Sequence, residues 1–257
     1  QLKVLEELRV DCTRINEWKE SLPQVTWVDF FKHRGIDYKG EEILTAQYME
    51  WENVRPALPA EVGGVNLEEV VELGSAHYVR NFEEYLLPEN DQPYTKPPRV
   101  MVAPDKWEIF CRELLDRGIF SKVHEDDLHR VSGLPVLNGL FGVSKGEFEG
   151  NYEVMRIIMN LIPVNRICRG IDGDIATLPS WSSMTPLQLM PHENLVISSE
   201  DVRCFFYIFK LPAAWFPLMA FNRPLPASLS GPKAGRWYPC AAVLPMGFKN
   251  SVSLAQH

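Results

Sequence analysis

The chain has 257 residues, 46% of them hydrophobic, and a net charge of −8. That suits one large or two small globular domains with a substantial core, and no segment reaches the roughly eighteen unbroken apolar residues of a membrane-spanning helix. The acidic balance argues against binding nucleic acid through bulk charge, yet it is uneven: from residue 140 onward ten Lys or Arg outnumber eight Asp or Glu. Five widely spaced cysteines (Cys12, Cys111, Cys168, Cys204 and Cys240), with no Cys-x-x-Cys pair, point to reduced thiols in an intracellular protein. The chain opens at Gln1 without a signal peptide and stops at His257 where a helix is expected to be running, so it reads as a fragment.

In chain order, Leu2, Val4, Leu5, Leu8 and Val10 suit an amphipathic helix within residues 1–24, ended by Pro23. Aromatics and acidic helical runs such as 66–72 continue to residue 90, giving a mostly helical N-terminal extension over 1–90. Four prolines between Pro88 and Pro98 read as an extended segment, and a linker is placed at 91–98. Helical spacing predicts a helix over 107–117 with Gly118 as its stop. His124, Asp126, Asp127 and His129 read as a solvated polar turn, because five-residue spacing does not put two imidazoles on one helical face. Strands are predicted over 136–143 and 154–161, with Asn138-Gly139 as a possible hairpin turn. Residues 168–194 read as irregular. Further strands are predicted over 195–197, 202–209 and 238–244, with a Pro/Gly/Ser-rich loop at 224–236 between the last two. The fold class is α+β, with residues 99–257 as its second domain.

Three patterns within that domain carry the chemistry. Val243-Leu244-Pro245-Met246-Gly247-Phe248-Lys249-Asn250-Ser251 contains a Pro-x-Gly turn, in which glycine lets the backbone approach a neighbour that any Cβ would block, and Ser251 can cap a following helix. Upstream, Asp201 is followed five and six positions later by Phe206 and Tyr207 in an apolar segment. Further upstream, Arg156 is followed by Asn160 at plus four and Asn165 at plus nine. Taken in chain order, residues 156–165, 201–207 and 243–251 resemble the fingers motif, the first catalytic motif and the nucleotide-contacting turn of reverse transcriptases of the retroelement-polyprotein type. The resemblance covers roughly residues 95–257.

The resemblance implies fingers and the first part of a palm of an RNA-directed DNA polymerase. Such an enzyme adds deoxynucleotides to a primer 3′-hydroxyl with two Mg2+ ions about 4 Å apart. By that likeness Asp201 is the catalytic carboxylate and a metal ligand, with the Val202 carbonyl a further ligand. Lys145 and Arg156 would grip the incoming triphosphate, Arg as a bidentate fork and Lys as a point charge. Phe206 would act as the steric gate that excludes a 2′-hydroxyl. Met246 and Gly247 would contact the nucleotide, and Asn165, Phe248 and Ser251 the template or primer. The implied partners are an RNA or DNA template with primer and deoxynucleoside triphosphates, with no membrane. Two positions depart from the family pattern. Residues 146–151 lengthen the interval after Lys145, and Met246 stands where the family often has Gln, whose amide can bond to sugar and phosphate where a thioether offers dispersion. The family's Tyr-x-Asp-Asp hairpin does not occur before His257, and Asp172-Gly173-Asp174 precedes Asp201 and reads as a turn. The 257 residues alone are therefore expected to be inactive. A different class is a degenerate, non-catalytic retroelement remnant that at most binds nucleic acid.

Overall fold

The computed structural model describes residues 45–70, 73–171, 190, 192, 196, 198 and 202–256, and Thr45–His257 form one compact unit. The helix expected within 1–24 lies outside the described residues. The first described elements are short: helix α1 (Trp51–Val54), strand β1 (Val65–Asn66), helix α2 (Leu67–Val70) and helix α3 (Leu73–Arg80). Helices this short are marginal alone and persist by burying side chains. Trp51, Val54, Leu67, Tyr78 and Val79 do so, joining the same core as residues from the C-terminal half.

Pro88–Pro98 accordingly runs within this unit rather than between two. It opens on a 3-10 turn, Glu89–Asp91, and continues as an extended strap. Gln92 Nε2 donates to Leu87 O at 2.8 Å, Gln92 Oε1 accepts from His129 Nε2 at 3.0 Å, and Asn222 Nδ2 donates to Pro98 O at 3.1 Å. Proline density predicted the extended backbone; the packing of that backbone against distant residues makes it part of the body.

Beyond the strap, helix α4 (Trp107–Asp116) buries Trp107, Phe110, Cys111 and Leu114 on one face. It ends where expected, with Gly118 at φ 74°. Strand β2 (Phe120–His124) follows, then a small hairpin of β3 (Arg130–Val131) and β4 (Leu134–Pro135). The long antiparallel pair is β5 (Gly139–Glu149) with β6 (Tyr152–Asn160). Its turn is at Gly150, φ 61°, and not at Asn138-Gly139. Asn138 is instead fully buried and donates its amide to Leu218 O and Ala220 O, so the Asn-Gly pair marks a docking point before β5. The Asn138 amide hydrogens are taken by distant carbonyls instead of by a hairpin, while its Oδ1 is buried without a hydrogen-bond partner.

After helix α5 (Ile162–Ile167), the chain is described again from Val202. Here the expected strand over 202–209 does not form. Cys204 takes a left-handed conformation (φ 56°), Phe205–Ile208 make a 3-10 turn, and only β7 (Phe209–Lys210) is extended. A run of β-favouring aromatics gives a strand only where neighbouring backbone is free to pair with it. β7 pairs in parallel with β1, Val65 beside Phe209 and Asn66 beside Lys210. Strand β8 (Trp237–Ala241) pairs antiparallel with β2, and helix α6 (Ser251–Gln256) closes the described chain. The described residues thus mix helix and strand, an arrangement compatible with α+β, in two-stranded sheets of which three are antiparallel and one parallel. No helix among the described residues is long and apolar enough to cross a membrane.

Candidate functional site

The Pro245–Ser251 turn is held from several sides. Its lead-in is bonded to β7: Leu244 N donates to Phe209 O and Leu211 N to Ala242 O, both at 2.9 Å, and Lys210 and Val243 form an antiparallel bridge. Within the turn, Phe248 N donates to Pro245 O at 3.0 Å and the Ser251 hydroxyl donates to the same carbonyl at 2.6 Å. Ser251 is therefore the first helical residue of α6 with its side chain turned back into the turn, and is not the cap. The Asn250 carbonyl accepts from Leu254 N and opens the helix.

Two asparagines fix the turn to the rest of the unit. Asn165, on α5, donates to Gly247 O at 2.8 Å and accepts from Lys249 N at 3.0 Å, so one amide brackets the backbone on both sides of Phe248. Asn250 is buried. Its Oδ1 accepts from Ile171 N at 3.2 Å, and its Nδ2 donates to Arg169 O at 2.9 Å and to the Tyr78 hydroxyl at 2.7 Å. Lys249 Nζ donates to Cys168 O at 2.7 Å. Burial raises the Tyr78 phenol far above its ordinary range, with the Asn250 bond opposing, so it stays neutral. Burial also pushes the Cys168 thiol up to about 12, with Lys249 pulling the other way.

Gly247 has a steric reason to be glycine: a Cβ there would lie 2.4 Å from the carbonyl oxygen of Met159, near the end of β6. The close approach that glycine permits is used by protein backbone. Phe248 points inward. It is 2% exposed, its ring edge-on to Phe82 at 6.1 Å and Trp215 at 5.7 Å, while Phe82 and Trp215 stack at 4.2 Å. Its side chain anchors the turn and offers no surface to a template. Ser251 is fully buried and likewise cannot contact one through its side chain. What the turn presents outward is Met246, 68% exposed, the Gly247 backbone and Lys249, whose Nζ is turned back to Cys168 O.

On the neighbouring hairpin, Arg156 is exposed while Met155 and Ile157 are buried, the alternation a half-buried strand requires. Arg156 pairs opposite Val143, whereas Lys145 falls inside the register shift between Ser144 and Phe148, where strand alternation no longer sets which way a side chain faces. Lys145 is largely covered and sits 3.3 Å from Glu147. Arg156 lies three residues, roughly 10 Å of extended chain, before the Met159 carbonyl that backs Gly247.

Asp201 lies outside the described residues. Val202 is 54% exposed. Phe206 belongs to the 3-10 turn and not to a strand, half-buried against the core with its ring 5.9 Å from that of Phe205. Among the described residues no cluster of three or more His, Cys, Asp or Glu is placed to hold a metal ion. Sequence reasoning missed the parts played by Tyr78, Lys249 and Asn250. Asn250 stood inside the motif; Tyr78, 172 residues away, gave no local signal. Neither a scan against protein-family models nor a search of the curated proteins finds a match to this chain.

Proposed function

We propose that this chain is the fingers and partial palm of an RNA-directed DNA polymerase, with the Pro245–Ser251 turn and the Arg156 face of β6 as its nucleotide and primer–template surface. The observation that supports the reading most is the Asn165 amide. It joins two motifs that were picked out separately, bonding Gly247 and Lys249 across more than 80 residues. A rigid turn that spends Asn165, Phe248, Asn250 and Ser251 on holding itself leaves Met246 and the Gly247 backbone for a ligand, and the strand that backs Gly247 carries an exposed guanidinium, Arg156, suited to a phosphate. Asp201 and two Mg2+ ions would supply the chemistry by stabilising the attacking and leaving oxygens. A Tyr-x-Asp-Asp hairpin would complete the ligand set.

The test has two steps. The 257-residue chain is expected to bind a recessed primer–template duplex with an affinity that falls steeply with salt, and Arg156→Ala should weaken that binding. In the protein carrying a downstream Tyr-x-Asp-Asp hairpin, Asp201→Asn should cut magnesium-dependent primer extension on the order of 100-fold or more, since a metal ligand carries several kcal/mol of transition-state stabilisation. Phe206→Ala should leave synthesis present but admit ribonucleotides. A folded protein that carries the hairpin and extends no primer overturns the enzyme reading and leaves the nucleic-acid-binding remnant, and an unchanged rate in Asp201→Asn removes Asp201 from the proposed metal site.

A further inference from the structure

We infer that Tyr78, on a helix upstream of the region that carries the family resemblance, is a positioning residue for the nucleotide-facing turn. The inference rests on the proposed function for the identity of the ligand, and on geometry alone for the positioning. Residues 56–87 brace both site-bearing segments. Gly63 N donates to Tyr207 O at 2.9 Å, β1 pairs with β7, and Arg203 Nη2 donates to Pro56 O at 3.1 Å, so the segment following Asp201 is laid along residues 56–66. Leu87 N donates to Ile167 O and Arg169 N to Tyr85 O, both at 2.7 Å. That pairing fixes the stretch whose Cys168 and Arg169 carbonyls receive Lys249 and Asn250.

Tyr78 completes the hold. Its ring is 1% exposed, edge-on to Trp215 at 5.7 Å and Phe82 at 5.7 Å, in the nest that seats Phe248. Its hydroxyl takes the Asn250 Nδ2 hydrogen that Arg169 O leaves over. An asparagine amide has two donor hydrogens, and leaving one unpaired in a buried site favours a different amide orientation. Reorientation would release Ile171 N and shift the turn on which Met246 and Gly247 are displayed. Tyr78 touches no ligand in this scheme; it sets where the turn stands.

Tyr78→Phe removes the hydroxyl and keeps the ring. In the 257-residue chain, hydrogen exchange at the Phe248, Lys249 and Ser251 amides should quicken about fivefold, the size expected from one buried hydrogen bond, while β5 and β6 amides stay unchanged. Affinity for a recessed primer–template duplex should fall by about threefold or more. Phe110→Leu, in the α4 core where Phe110 packs on Trp107, is the comparison: it lowers overall stability without touching the turn. Unchanged turn exchange in Tyr78→Phe, or equal acceleration in Phe110→Leu at matched stability, overturns the positioning role. If the unaltered chain binds no primer–template, the polymerase reading fails by itself, and the exchange comparison still decides the role of Tyr78.

Discussion

The turn at 245–251 and the segment at 202–210 carry the two C-terminal motifs, yet they are built on opposite plans. In the turn, almost every motif residue is spent on holding the backbone: Gly247 against Met159 O, Phe248 in an aromatic nest, Asn250 on three partners, Ser251 on Pro245 O. In the segment, the side-chain bonds of Arg203 and Cys204 run to the backbone of Pro56 and Ala57, and the main chain is steadied from outside by residues 56–66 and by the lead-in to the turn. A turn fixed by its own side chains is readable from its letters. A segment fixed by neighbours is not, which is why its aromatic run suggested a strand and gave a left-handed Cys204 and a 3-10 turn.

The largest expected effect falls on the turn's anchor. Phe248→Ala should cost about 3–5 kcal/mol in urea unfolding, because it empties a packed site against the edges of the stacked Phe82 and Trp215 rings. Were the ring instead a template contact, stability would hold and only binding would drop. Gly247→Ala comes next. Its Cβ must push Met159 O aside, costing about 1–3 kcal/mol, with the perturbation visible in backbone amide shifts at Met159 and Asn160.

The segment responds in the other direction. Cys204→Gly should stabilise the fold by about 0.5–1 kcal/mol, since glycine relieves the positive φ at the loss of a sulfur contact to Ala57 O. Glycine inside a strand would instead weaken it by about the same amount, so the sign of the change in the urea midpoint separates the two conformations.

The smallest effect lies outside both regions and measures what the half-burial of His129, which meets the 88–98 strap at Gln92, contributes. Half-burial lowers the His129 pKa below its ordinary value, against the raising influence of Glu83 and Glu89. The unfolded chain therefore takes up the proton first. The neutral imidazole's contribution is complete above the ordinary histidine pKa of about 6.5, and is lost as pH falls from there through the lower folded value. His129→Gln should flatten that part of the stability profile, so the gap between urea midpoints at pH 7.5 and pH 5.5 narrows. An unchanged gap would show that the burial of His129 does not contribute to this pH dependence.

Much of the outline was legible because it depends on neighbours in sequence. Helix α4 and its Gly118 stop follow from apolar spacing and a residue that tolerates positive φ. The β5–β6 pair follows from alternation, and Arg156 stands outward between buried Met155 and Ile157 for the same reason. Apolar periodicity and glycine placement are local rules. The Pro245–Ser251 letters also fixed that a tight turn would stand there, with a helix after it.

Tertiary structure alone decided which way those letters face. Gly247 could equally have made room for a base pair, and Phe248 could have stacked on one; in the folded chain a β6 carbonyl and an aromatic nest take those places. Tyr78 meets Asn250 across 172 residues, and Pro88–Pro98 is a strap because Gln92 and Pro98 find partners far along the chain. Hydrogen-bonding capacity is written in each residue, but its partner is chosen by whichever distant backbone the folded core brings within about 3 Å.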